Sequence, residues 1–324
     1  MKTLYFPPYP SAPHAAMASQ PSQQPFAATI GFFDGVHRGH RFLIEQLKQA
    51  AAQQGLRTMV VTFDRHPRQT VQPQWQPQLL TTLEEKELLI EQTGIDRLVV
   101  LRFDEQMAAL SARDFMQQVL KEQLGVRLLL TGYDNRFGHN REEGFEQYRA
   151  YGQQTGIEVV AALPSNDGDM RYSSSLARRL IAEGDMGQAA RCLGRRYTIA
   201  GLVVHGEQIG RTLGFPTANI AIGNPELLVP ANGVYAVTIE RQGHPTPYGG
   251  MMNIGMRPTF DGHRRTLEAN IFGFRGDLYG ERLTIGFIAR LREEQHFESP
   301  EALARQMAED AERAKTIINE QTNQ

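Results

Sequence analysis

Residues 26–40 read Phe26-Ala27-Ala28-Thr29-Ile30-Gly31-Phe32-Phe33-Asp34-Gly35-Val36-His37-Arg38-Gly39-His40. The first five form a short apolar run with proline before it and glycine after it, and residues 41–54 carry apolar side chains at helical spacing. The stretch is therefore a strand, a turn and a helix. Glycine lets a backbone come close to a ligand, and the free N–H groups that open a helix favour an anion by roughly 0.3–1 kcal/mol. His37 and His40, three apart, can face the same way. Such a turn suits a nucleotide's phosphates; in the plainer reading Phe32 and Phe33 are core and the histidines only solvated turn residues. For a lone pair of histidines at this spacing the plainer reading would be preferred.

Working outward, apolar runs at 57–63, 97–103, 126–132 and 157–163 alternate with helical segments. This β-α grammar predicts a doubly wound parallel sheet. Ligands of such sheets sit at the carboxyl ends of the strands, so the segments 31–40, 64–67 and 132–138 converge on one crevice. Beyond Gly194 the grammar changes to alternating runs at 197–204, 233–240, 266–274 and 282–289 with Gly, Pro and Asn turns between them. That predicts a small antiparallel β-barrel or sheet, followed by a helix from about Ser299, with Ser299 as N-cap and Pro300 in the first turn. The boundary falls at 190–196, which gives domains 1–190 and 191–324. The proline-rich stretch from Pro7 to Pro25 reads as a long irregular loop.

The 324 residues suffice for two packed cores, and 41% hydrophobic with 22% charged residues is ordinary for a globular chain. A formal charge of −2 without any long Lys/Arg run leaves no footprint for nucleic acid or an anionic membrane, so a small-molecule ligand is expected. The one cysteine, Cys192, excludes an intramolecular disulfide and a multi-cysteine zinc site. No apolar run approaches the roughly 18 residues of a membrane span, and Pro7, Pro8 and Pro10 interrupt the N-terminal run at once. A cytoplasmic location is the expectation; the oligomeric state is not legible.

A second glycine-punctuated segment runs Gly206-Glu207-Gln208-Ile209-Gly210-Arg211-Thr212-Leu213-Gly214-Phe215-Pro216-Thr217-Ala218-Asn219. It is not a Walker A loop, because its first two glycines are one residue too close and Arg211 stands where that loop needs lysine. Thr217 and Asn219, two apart on a strand, offer a hydroxyl and an amide oxygen from one face, which suits a hard cation that keeps several waters. A turn followed by an edge strand explains the segment equally well. Farther on, Glu268 shares a strand face with Thr266 and Asn270, against Leu267, Ala269 and Ile271. A carboxylate can take the proton of a primary hydroxyl as a phosphoryl group arrives, although by itself Glu268 reads more simply as a solvated strand residue.

The segment 31–40 resembles the G-x-F-D-G-x-H-x-G-H motif of nucleotidyltransferases that move an AMP or CMP unit onto an acceptor phosphate. The resemblance implies that Gly31, Phe33, Asp34 and Gly35 line the nucleotide site and that His37 and His40 hold and neutralise its phosphates. The segment 206–219 is similar to the riboflavin kinase signature, and the blocks 253–260, 266–270, 277–280 and 291–297 follow in that family's order. For a riboflavin kinase this implies ADP on the loop of Gly206, Gly210, Arg211, Gly214 and Pro216. It also implies that Thr217 and Asn219 serve Mg²⁺ and the phosphates, that Glu268 is the base for the ribityl 5′-hydroxyl, and that Arg292 lies on the flavin side.

Taken whole, the chain resembles the bacterial bifunctional riboflavin kinase and FAD synthetase family. Further blocks agree: Thr62-Phe63-Asp64-Arg65-His66-Pro67, Leu80-Thr81-Thr82 with Glu85-Lys86, Asp134 and Arg136 within 133–138, and Ser173, Ser174 and Arg178 within 173–178. Asn135, Ser175 and Ala177 depart from the family pattern of Phe, Thr and Ile. The resemblance implies that riboflavin and ATP give FMN in the C-terminal domain and that FMN and ATP give FAD and pyrophosphate in the N-terminal one, both with Mg²⁺. The alternatives are one active domain only, or a flavin-binding regulatory protein without turnover.

Overall fold

The structure is a computed structural model and describes residues 1–6, 24–132, 136–139, 142–164, 171–206, 214–259 and 262–322. Asp134, Asn135, Gly210, Arg211 and most of the proline-rich stretch lie outside the described residues. The chain divides into two compact units, residues 1–174 and 175–324.

The first unit contains β1 (Lys2–Phe6), β2 (Phe26–Ile30), α1 (Arg38–Gln53), β3 (Arg57–Phe63), α2 (Pro67–Val71), α3 (Leu83–Glu91), β4 (Arg97–Leu101) and α4 (Glu105–Ala109). α5 (Ala112–Asp114) leads directly into a π-helical segment, Phe115–Gln123, which β5 (Val126–Thr131), α6 (Phe145–Thr155) and β6 (Glu158–Ala161) follow. The sheet order is β1-β4-β3-β2-β5-β6, every pair parallel. This is the expected doubly wound sheet, with an edge strand, β1, that the sequence pattern did not announce. Strand order reverses at β2, so a crevice opens where β2 and β5 end.

All five residues of β2 are buried, as a central parallel strand requires. Phe26, Ala28 and Ile30 face one core with Met59, Val61, Phe63 and the π-helical segment, while Ala27 faces the other with Val60, Leu98 and the α1 residues Ile44 and Leu47. Burying one such large apolar side chain contributes about 1.5–3 kcal/mol. β4 stops at Leu101 rather than at 103 because the Phe103 N–H turns to the Asp64 carboxylate, 2.9 Å away. α3 opens with a reciprocal cap: Glu85 N–H donates to Thr82 Oγ1 at 3.2 Å and Thr82 N–H to Glu85 Oε2 at 3.0 Å.

α7 (Ser174–Glu183) starts at the division between the units, and α8 (Met186–Leu193) ends at Gly194 in left-handed backbone, φ 73°. Then come β7 (Tyr197–Val204), β8 (Thr217–Ala221), β9 (Gly233–Arg241), β10 (Tyr248–Thr259), β11 (Gly262–Ile271), β12 (Arg282–Arg292) and α9 (Pro300–Thr322). The strands close an antiparallel barrel in the order β10-β11-β8-β7-β12-β9. Tyr197, Tyr235 and Phe287 pack together on one face of their strands. Val234, Ala236 and Met251 face the opposite way and pack against Ala311 and Ala314 of α9. Ser299 caps α9 as its sequence suggests, accepting the Ala302 N–H at 3.2 Å.

Candidate active sites

The turn after β2 is folded against its backbone preference. Phe33 and Val36 have φ of 55° and 38°, left-handed values that cost a non-glycine residue about 1–3 kcal/mol each. Neighbouring segments supply what holds them. Phe33 and Val36 are themselves buried. Gly31 N–H donates to Val61 O at 3.0 Å, and Phe32 O accepts from Thr62 Oγ1 at 3.1 Å and from Lys86 Nζ at 3.2 Å. The Asp34 carboxylate, 3% exposed, accepts the Leu80 N–H at 2.9 Å, while Gly35 N–H donates to Thr81 Oγ1 at 3.2 Å. Asp34 is thus built into the turn, and the Leu80-Thr81 block docks onto it. Ser174 Oγ donates to Asp34 O at 2.9 Å.

The turn delivers two stacked imidazoles. His37 is the N-cap of α1, its Nδ1 accepting the His40 N–H at 3.3 Å, and the two rings stack at 3.6 Å between centroids. Phe33 meets the His40 ring edge-on at 5.0 Å, and His66 meets the Phe32 ring at 4.8 Å while capping α2. Arg38 reaches the Tyr172 hydroxyl at 3.2 Å. Ser173 precedes α7, on which Arg178 stands one turn beyond Ser174. Arg136 follows β5 and is exposed. Sequence reasoning missed the anchoring roles of Thr81 and Lys86, although both fell within blocks it singled out.

On the barrel, register lines up the second set of residues. Glu268 is paired with Asn219 of β8 and Asn253 of β10, Asn253 with Val234 of β9, and Val234 with Arg292 of β12. Glu268 and Arg292 therefore end up in one transverse row, three strand spacings apart around the barrel wall. The adjacent row pairs Thr217 with Asn270, whose Nδ2 donates to Pro216 O at 2.8 Å and fixes the start of β8. Gly206 lies against the Glu268 row: a Cβ added there would fall 2.1 Å from Asn219 Nδ2. Gly214 is in left-handed backbone at φ 82°.

The two rows floor a cavity of about 620 Å³ whose walls include Glu268, Arg292, His296, Phe297, Leu303 and Asp310. This is within the range of small-molecule sites. Arg292 Nε donates to Asp310 Oδ2 at 2.8 Å, and the guanidinium lies 5.4 Å from the Phe297 ring centre. Asp310, 1% exposed, accepts also from Gln306. No local signal marked Asp310, because α9 is charged along most of its length. Among the described residues no group of three or more His, Cys, Asp or Glu is placed to hold a metal ion. The oxygen donors of Thr217 and Asn219, on one face beside Glu268, nonetheless fit a Mg²⁺ that takes most of its ligands from water and phosphate.

A phosphate-type turn at the switch point of a parallel sheet, and a carboxylate row over a closed barrel, define a chain with two nucleotide-handling transferase sites. Residues 19–176 match the family model described as FAD synthetase and residues 193–318 that described as riboflavin kinase. The bifunctional riboflavin kinase/FMN adenylyltransferase of Escherichia coli (strain K12) is 37% identical over 292 residues, 90% of this chain and 92% of that protein. The protein of that description from Bacillus subtilis (strain 168) is 35% identical over 319 residues, 97% of each. The chain belongs to the bifunctional riboflavin kinase/FMN adenylyltransferase family. A crystal structure described as a macrolide-efflux protein from Streptococcus pneumoniae shares the fold, with a TM-score of 0.83 and 29% identity over 96% of this chain and 97% of that one. Among the described residues no helix is long and apolar enough to cross a membrane.

Proposed function

We propose that the two sites act in sequence, the kinase in residues 191–324 making FMN and the adenylyltransferase in residues 1–190 converting it to FAD. In the first step the ribityl 5′-oxygen of riboflavin bonds to the γ-phosphorus of ATP, the bond to the bridging oxygen breaks and ADP leaves. Glu268 takes the hydroxyl proton. In the second step a phosphate oxygen of FMN bonds to the α-phosphorus of a second ATP and pyrophosphate leaves. No protein nucleophile is needed for either, since transfer of this kind depends on positioning and on charge stabilisation.

The observation that carries the kinase reading is the transverse row, which sets a carboxylate between two asparagines over a flavin-sized cavity. Thr217 and Asn219 would hold Mg²⁺, which when bound supplies charge neutralisation to the phosphates. The glycine loop, with Gly206, Gly210, Arg211, Gly214 and Pro216, would carry the nucleotide, and Arg292 would border the flavin. In the other domain Gly31, Phe33, Asp34 and Gly35 shape the turn, and His37 and His40 meet the phosphates. Asp134, Arg136, Ser173, Ser174 and Arg178 complete that nucleotide site. The reading calls for no nucleic acid and no membrane, and suits the cytoplasm, where ATP is plentiful. Incubating the protein with riboflavin, ATP and Mg²⁺ should give FMN first and then FAD by chromatography. FAD formation without FMN as precursor, or no turnover of either flavin, would sink it.

A further inference from the structure

Lys86 is 3% exposed and, with Ile90, forms the buried stripe of α3. Lysine is seldom buried so fully unless its charge is answered, and a position needing only packing would hold leucine or methionine at less cost. Here the ammonium donates to Phe32 O at 3.2 Å and to Phe63 O at 3.0 Å, with the Phe32 ring centre 4.2 Å from Nζ. The first carbonyl lies in the turn after β2 and the second closes β3, so one side chain joins two neighbouring strand ends at the mouth of the crevice. Hydrogen bonds from a cation are about twice as strong as neutral ones. Immediately beyond Phe32 comes the left-handed backbone of Phe33 and Val36, which would relax if released and carry His37 and His40 with it.

We propose that Lys86 is a positioning residue for adenylyl transfer, clamping the Phe32 and Phe63 carbonyls together so that the turn presents both histidines in reactive register. The proposal rests on the reading of that turn as the phosphate site. Desolvation lowers the Lys86 pKa to about 8, against the raising fields of Asp34 in the turn, Glu87 on its own helix and Asp64 beyond β3. The side chain is charged below that pH and neutral above it. The clamp therefore loosens as pH rises through about 8.

The test follows FAD formation from supplied FMN, and FMN formation from riboflavin, across neutral to alkaline pH in wild type, Lys86→Met and His37→Ala. Lys86→Met should lower kcat for FAD formation by about 10- to 100-fold, the lower part of the range for preorganised groups, with KM for FMN and ATP changed less than about threefold. Its FMN formation should match wild type. In wild type FAD formation should fall above about pH 8, and that fall should be missing from the residual activity of Lys86→Met. A variant kcat within about threefold of wild type, or an alkaline fall that persists in the variant, overturns the proposal. Should Lys86→Met not fold, the wild-type profile decides, and a flat alkaline limb overturns it. If His37→Ala loses FAD formation while Lys86→Met keeps it, only the role of Lys86 fails. If His37→Ala keeps it, the site reading itself fails.

Discussion

His37 holds a helix start and is proposed to face a reaction, and the two roles separate by substitution. His37→Ala removes the cap, worth about 0.5–2 kcal/mol, and should lower FAD formation by about 10²- to 10³-fold while FMN formation stays. His40→Ala should lower FAD formation on the same scale. His37→Asn keeps an acceptor for the His40 N–H, so urea melts should return near wild-type stability while FAD formation stays low. An active His37→Asn enzyme would reduce this residue to a cap. Glu268→Gln is its counterpart on the barrel. It keeps the side chain's size but removes the proposed base, so FMN formation should fall by about 10²- to 10⁴-fold, with FAD formation from supplied FMN unchanged. Loss of both activities in a folded Glu268→Gln protein would contradict independent sites.

At the scale of elements, two close approaches shape the proposed kinase site. Gly206→Ala would place a methyl group 2.1 Å from Asn219 Nδ2, so the amide must swing away from the row it shares with Glu268. The expected result is a KM for ATP raised about tenfold in the kinase assay, with little change in melting temperature. Asp310→Ala would strip the partner from Arg292 across the contact between α9 and the barrel. Removing one member of a buried pair costs about 3–5 kcal/mol, which urea denaturation would show as a lower midpoint. A midpoint like that of wild type would mean that α9 is held by Ala311, Ala314 and their apolar neighbours alone.

The elements also show what a linear pattern can carry. β2, β3 and β7 were legible to the residue, because their apolar runs are bounded by turn formers and need no partner to be seen. β1 was not, since a five-residue edge strand before prolines becomes a strand only by pairing with β4, far along the chain. Motif resemblance supplied Asn219, Glu268 and Arg292 one by one, but not the row that joins them, which is a property of register. Lys86 could have been found: it lies three residues after Leu83 and four before Ile90, a charge on an apolar stripe. Asp310 offered no such signal on its highly charged helix.

For the whole molecule, two sites with separate cores imply separable chemistry. Neither Glu268→Gln nor His37→Ala alone should convert riboflavin to FAD at more than about 1% of the wild-type rate, by the losses given above. Mixed, they should restore it, because FMN released by one chain can serve the other. Failure of the mixture to make FAD, with each remaining single activity intact, would show that FMN does not leave the chain that makes it.

The cap on α1 also settles a question of proton bookkeeping at the turn. A ring nitrogen that accepts the His40 N–H cannot carry a hydrogen of its own, so neutral His37 must exist as the Nε2–H tautomer. Its remaining nitrogen is then a committed donor, whatever the charge on the ring. On the proposed reading of the site, helix initiation thereby selects which edge of the imidazole would donate to a phosphate oxygen, before any ligand arrives.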